Sequence, residues 1–232
     1  MKGYSIEQFF ISAVSVDNVI FGFDGGDLKI LLVKRGEEPF TGKWALPGEM
    51  VFPQEDLQTA AARILKELTG LENVYLEQVQ TFGHPARHPV GRVITIAYFS
   101  LIKIDQFQLY PSNWAQSAKW HSIAKLDDLA FDHNEIVRAC FEKLRRRVRV
   151  QPIGFELLPP KFTLTDLQHL YEAILDVESI DKRNFRKKIL AMDILLECDE
   201  MQEGVAHRPA KLYRFDKERY ENFVESGFSF EV

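Results

Sequence analysis

Apolar and polar residues alternate through much of the first half of the chain, and in two places they switch to a three- and four-residue recurrence. The first pattern predicts strands, the second amphipathic helices. Phe9–Phe23 is a long apolar run broken at Asp17 and Asn18, and Leu28–Arg35 is a second run rich in β-formers. Asp24-Gly25-Gly26-Asp27 between them predicts a hairpin, since a tight turn needs residues that tolerate positive φ. Val74–Phe82, Arg92–Ile104 and Trp114–His121 read as further strands; in the second, Val93, Thr95, Ala97 and Phe99 alternate against Ile94, Ile96 and Tyr98. Leu57, Ala61, Ile64 and Leu68 share one helical face, and Gly70 suits the end of that helix. Asp132–Arg147 is the second helix, with Ile136, Ala139, Cys140 and Leu144 on one side. Its last turn carries Arg145, Arg146 and Arg147, where the helix dipole favours cations.

The pattern changes after residue 150. Gln151-Pro152 and Pro159-Pro160 punctuate a stretch, Ile153–Phe162, that reads as non-helical. Thr163 and Asp166 have the form of a capping box with Asp in place of the usual Glu or Gln. They open a helix, Leu167–Leu175, followed by a short turn and a second helix, Asp181–Met192. Two β-like runs, Ile194–Asp199 and Ala210–Asp216, then flank a polar loop containing Gly204. The order helix, turn, helix, hairpin is that of a winged helix-turn-helix. Two domains are expected, 1–150 and 151–232, with an α/β (α+β) sandwich first.

Composition narrows the class without fixing the function. With 46% hydrophobic and 27% charged residues over 232 positions, the chain reads as an ordinary globular protein. The Phe9–Phe23 run is too interrupted to span a membrane and no small-residue cleavage site follows it, so a cytoplasmic location is expected. Cys140 and Cys198 lie far apart in apolar contexts, as free thiols in a reducing compartment do. The net charge of −5 does not point to nucleic acid, but its distribution does. Residues 151–232 hold 11 Lys and Arg against 16 Asp and Glu, yet five of those cations fall between Lys182 and Lys188. Phe185, Ile189 and Met192 turn inward on that helix, leaving Lys182, Arg183, Asn184, Arg186 and Lys187 outside. His207, Arg208 and Lys211 sit where a wing touches the DNA backbone or minor groove. These are the side-chain types that grip phosphates and read base edges.

Candidate chemistry in the first domain lies between Gly48 and Leu71. Glu55, Arg63, Leu65, Glu67, Gly70 and Leu71 stand in the register of the Nudix box, which this segment resembles. Glu49 stands for its glycine, and Ile64 and Leu68 for two of its glutamates. Positions 64, 67 and 68 share one helical face, and in a working Nudix enzyme that face carries carboxylates holding Mg²⁺. Mg²⁺ needs near-octahedral oxygen ligands, and Ile64 and Leu68 supply none. The expectation is a binding domain with no catalytic residues, no metal and no cofactor.

Residues 31–51, 131–136 (Phe-Asp-His-Asn-Glu-Ile), 181–190 and 207–215 extend the likeness over nearly the whole chain. The sequence is similar to the Nudix-related transcriptional regulators of the NrtR/AraR family. The resemblance implies a homodimeric repressor whose Nudix-like domain senses a small molecule and whose winged helix binds palindromic double-stranded operator DNA. One branch senses ADP-ribose and another is arabinose-responsive. Here Phe82-Gly83-His84-Pro85-Ala86-Arg87-His88-Pro89 carries histidines where the ADP-ribose branch tends to carry acids. Together with the missing metal glutamates, this favours the AraR-type branch, with L-arabinose as effector and ADP-ribose as the alternative. Lys43, Trp44, Glu49, His84, Arg87 and His88 are the expected effector contacts, and His133 with Asp132 reads as a helix cap and its partner. The rival reading is an active Nudix hydrolase of a nucleoside diphosphate derivative.

Overall fold

A computed structural model of the chain describes residues 13–104, 115–206 and 208–225. The first unit is organised by β1 (Ala13–Phe23), which is buried at every residue from Ser15 to Phe23. That is the pattern of a strand covered on both faces. β1 runs parallel to β6 (Val93–Leu101), pairing Ala13 with Val93 through to Phe21 with Leu101. On its other side lies β2 (Leu28–Arg35), reached through the expected hairpin, where Asp24 Oδ1 accepts from Gly26 and Asp27 N–H. β3 (Trp44–Ala45) and β7 (Ala115–Ser122) pair antiparallel with β2, β4 (Gly48–Met50) with β1, and β5 (Tyr75–Phe82) with β6.

Helices cover the two faces of the sheet. α1 (Leu57–Thr69) starts at Asp56, whose side chain accepts from Thr59 N, and stops at Gly70, whose φ of 71° suits glycine. Ala60, Ala61 and Ile64 pack on Val16, Ile96 and Tyr98, while Leu65 and Leu68 meet Ile20, Leu31 and Val33. Each fully buried Ile or Leu stabilises the fold by about 1.5–3 kcal/mol. The opposite face presents Asp17, Phe21 and Phe99, the last two with ring centroids 6.0 Å apart. The first part of α2 (His133–Val150), through Cys140, lies against it, with Cys140 Sγ–H donating to the Tyr98 carbonyl at 3.8 Å.

Contacts divide the chain into one unit through Phe21 and from Lys29 to Cys140, and another made of Gly22–Leu28 with the residues from Phe141 onward. The 1–150 and 151–232 division expected from sequence sets its boundary at the end of α2; the contacts divide the chain inside that helix.

The second unit is a winged helix. The stretch expected to be non-helical contains a 3-10 helix, Pro152–Leu157, because Pro152 at its start needs no donor and has a helical φ. The Thr163 capping box is present in both directions: Asp166 N–H donates to Thr163 Oγ1, and Thr163 N–H to Asp166 Oδ2. α3 (Leu164–Leu175) therefore starts directly after Thr163, earlier than Leu167. α4 (Lys182–Ala191) is capped by Asp181 and buries Phe185 and Ile189; the Phe185 ring lies 5.5 Å from that of Tyr171 on α3. β8 (Leu195–Met201) and β9 (Lys211–Phe215) form the hairpin, and Phe162 adds a short third strand through two backbone bonds to Tyr213. Phe155 stacks on Phe215 at 4.5 Å. α5 (Lys217–Glu225) was not expected from the sequence.

Thr163→Ala removes the acceptor for Asp166 N–H and is expected to destabilise the second unit by about 1 kcal/mol. A urea melt should show a lower midpoint at unchanged slope for that unit. An unchanged midpoint would mean that the buried face of α3 alone sets its start.

Candidate functional site

A cavity of about 300 Å³ opens in the first unit between β1, β2, β4, the loop before β6 and the start of α2. At its base is Asp17, only 6% exposed. Its Oδ2 accepts from the Thr95 hydroxyl at 2.7 Å and lies 3.6 Å from Arg87 Nη2. Its Oδ1 lies 3.6 Å from His133 Nε2. Gly48 is required beside it, because a Cβ there would come 2.0 Å from Asp17 Oδ1.

Arg87 makes a bidentate pair with Asp132, Nε to Oδ2 at 2.9 Å and Nη2 to Oδ1 at 2.7 Å. The next residue, His133, accepts from Leu46 N–H at Nδ1, 2.9 Å away. That contact puts the proton of the neutral imidazole on Nε2, towards Asp17. Burial pushes the His133 pKa below the ordinary histidine value. Phe131, just before them, holds a φ of 56°, an outlier for a bulky residue. Its ring meets Phe40 edge-on at 4.8 Å and lies nearly parallel to His88 at 5.2 Å; the Arg35 guanidinium sits 5.0 Å above it. Burial, reinforced by the charges of Arg87 and Arg35, lowers the His88 pKa. Arg35 donates Nε–H to the Pro39 carbonyl at 2.7 Å, and burial lowers its pKa too.

Of the six residues expected from sequence, Glu49, Arg87 and His88 line this cavity. Lys43, Trp44 and His84 are placed elsewhere. Trp44 meets His121 edge-on at 4.6 Å, Lys43 lies 5.8 Å from the Phe40 ring, and His84 accepts from Ala86 N–H within its own turn. Asp17, Arg35, Phe131 and His133 line the cavity but were outside the expected set. One signal for Asp17 was present: a carboxylate interrupting an apolar strand is the informative exception. Asp132, read as a helix cap, gives both carboxylate oxygens to Arg87.

The Nudix-like helix divides its residues between the core and one arginine. Ile64 and Leu68 are 0% exposed and belong to the core. Arg63 gathers the acids that remain. It hydrogen-bonds Glu49, binds both oxygens of Glu55 at 2.8 and 3.1 Å, and lies 3.6 Å from Glu67. Phe52 stacks over it at 4.0 Å. Hydrogen bonding to Glu55 is the main cause of a raised Arg63 pKa, and the same contact lowers that of Glu55. Among the described residues no three His, Cys, Asp or Glu side chains come together as a ligand set. With a guanidinium at the centre of its acids, this arrangement does not fit a Mg²⁺ centre.

On α4, Lys182, Arg183, Asn184 and Lys187 are exposed. Arg186 differs: half-buried, it donates Nη2–H to Thr165 Oγ1 on α3 at 2.9 Å. In the hairpin Lys211 is paired with Glu197, Arg208 is exposed, and His207 lies outside the described residues.

Comparison with known proteins agrees with this two-part layout. A NUDIX domain family matches residues 12–140, and the NrtR DNA-binding winged helix domain matches 154–215. The chain is 38% identical to the ADPR responsive transcriptional repressor NtrR of Acinetobacter baylyi, over 94% of this chain and 92% of that protein. It resembles Shewanella oneidensis NrtR complexed with a 27mer DNA with a TM-score of 0.76 and 28% identity, over 94% of this chain and 97% of that one. The NUDIX domain of the Shewanella protein, complexed with ADP ribose, matches 61% of this chain and 94% of its own length at 32% identity and a TM-score of 0.54. The chain belongs to the NrtR family, in which a Nudix domain is joined to a winged-helix DNA-binding domain.

Proposed function

We propose that this protein is a transcriptional repressor that binds operator DNA through α4 and its wing and is released when ADP-ribose enters the cavity of the Nudix-like unit. The observation that carries the effector reading is the placing of two guanidinium groups, Arg35 and Arg87, beside the His88–Phe131 aromatic pair. Guanidinium groups recognise phosphates and flat rings recognise bases. A nucleoside diphosphate sugar offers both, and a neutral pentose offers neither. The Acinetobacter relative is ADPR responsive, and the Shewanella domain binds ADP ribose. L-arabinose, expected from the missing metal glutamates and the two loop histidines, has no such support. Arg35 and Arg87 supply positive charge without a metal, which removes the reason for preferring an uncharged effector.

The cavity binds and does not hydrolyse. Ile64 and Leu68 are committed to the core, and the neighbouring acids to Arg63. The protein acts as a homodimer, because two winged helices reading a palindrome need half-sites about 34 Å apart or multiples of that. It works in the cytoplasm, where that DNA is. No helix among the described residues is long and apolar enough to cross a membrane.

In a mobility shift with DNA upstream of the gene, ADP-ribose should release the protein and L-arabinose should not. Release by L-arabinose alone would overturn the effector assignment. A coupled phosphatase assay should detect no Mg²⁺-dependent phosphate release from ADP-ribose; sustained turnover would restore the hydrolase reading.

On the DNA side, Lys187→Ala should weaken binding to all sequences and flatten the salt slope by about one unit. Arg183→Ala or Asn184→Ala should relax sequence preference, costing about 1–3 kcal/mol on the operator and little on random DNA. Equal losses on both DNAs for all three variants would remove α4 from the recognition role.

A further inference from the structure

We propose that Arg87 selects an anionic effector and that Asp132 is the internal carboxylate which the effector's phosphate displaces. The inference rests on the cavity being the effector site.

Among the described residues, each guanidinium near the cavity already has a companion. Arg63 is held by Glu49 and Glu55, and Arg35 by the Pro39 carbonyl and the Phe131 face. Arg87, with a side chain only 3% exposed, is held by both oxygens of Asp132. Asp17, Glu37 and Glu49 also line the cavity. Among the described residues Arg35 has no close carboxylate partner, so it is at Arg87 that an incoming phosphate must take a cation from an acid. Arg63 is the hardest to free, because several carboxylates converge on it. Arg87 has one close carboxylate partner, Asp132, and a second acid, Asp17, at 3.6 Å. Its close contacts to Asp132 use Nε and Nη2, the edge of the fork that a phosphate would take over.

The displaced carboxylate has a second place to go. Asp132 immediately precedes α2, and its carbonyl already accepts from Glu135 and Ile136 N–H. An Asp at that position caps first-turn N–H groups well, and its charge suits the helix dipole. Exchange thus offsets one lost ion pair with a cap, while the phosphate takes the bidentate site. A neutral polyol has no charge with which to displace a bidentate carboxylate. The same exchange that selects the ligand also alters the start of α2.

The test is Asp132→Asn in the full-length protein, with ADP-ribose affinity measured by calorimetry and operator affinity by fluorescence anisotropy. Removing the internal competitor should tighten ADP-ribose binding about 5-fold or more, the lower end of typical coupling between competing states. Asp132→Ser, which keeps a capping side chain and removes the charge, should act in the same direction and covers the case in which the first variant folds poorly. In an Arg87→Lys background, where the bidentate fork is gone, the gain should vanish. Weaker or unchanged ADP-ribose binding in both Asp132 variants would show that Asp132 only orients Arg87 and would overturn the exchange. Wild-type protein that fails to bind ADP-ribose would instead overturn the effector reading itself.

Discussion

The polar architecture of the first unit follows from one buried carboxylate, Asp17, on the central strand. An isolated charge in that position is costly, and proteins keep one only when it is paired and hydrogen-bonded. Here the Thr95 hydroxyl, the Arg87 guanidinium and the His133 Nε2 proton all face it. Each of those groups then makes its own demand. Arg87, drawn inside, needs a full counter-charge and finds Asp132. His133 must stay neutral with its proton on Nε2, which the Leu46 N–H enforces from the other side of the ring. Gly48 must lack a side chain so that β4 can pass the Asp17 carboxylate. The cavity wall is the collected answer to a single charge.

The same reasoning explains why the Nudix-like helix kept its frame. Its arginine and glutamates need one another whether or not a metal is present. Ile64 and Leu68 give the helix core contacts with Val16, Ile96, Leu31 and Val33. Glu67 shares their face by spacing but sits at its rim, 44% exposed at the side chain, close enough for Arg63. Glu49, in place of a glycine, adds a further carboxylate to the same guanidinium. Glu49 and the Met50 carbonyl tie the strand β4 to the helix α1 through Arg63, an architectural role that needs no ion.

Local physics was legible in the sequence to the extent that it was local. Alternation located the long strands, the three- and four-residue recurrence located α1 and α2, and Thr163 with Asp166 announced the cap of α3. The 3-10 turn after Pro152 was hidden because the prolines that start it also read as breakers. α5 was missed because Lys217–Glu225 is short and mostly polar, leaving periodicity little to act on. The cavity was harder. Glu49, Arg87 and His88 stood in or near recognisable motifs. Asp17, Arg35, Phe131 and His133 become a site only when β1, β2 and the start of α2 converge, and residue spacing along the chain carries no record of that. Arg186 shows the converse: a cation in a basic run looks available until the fold brings Thr165 to it.

α2 is one continuous helix that contributes residues to both units. It begins at the cavity wall, directly after Phe131 and Asp132, and runs for 18 residues into the second unit. No glycine or proline interrupts it, so nothing in its sequence invites a kink. At 1.5 Å per residue it is about 27 Å long. Near its far end Arg145 donates Nη2–H to the Leu175 carbonyl at 2.7 Å, which ties the helix to the end of α3, just ahead of the turn into α4. A ligand shifts an equilibrium only through contacts that differ between two states. The Phe131 backbone at φ 56° and the Arg87–Asp132 pair stand directly before α2, and the proposed exchange would supply such a difference there.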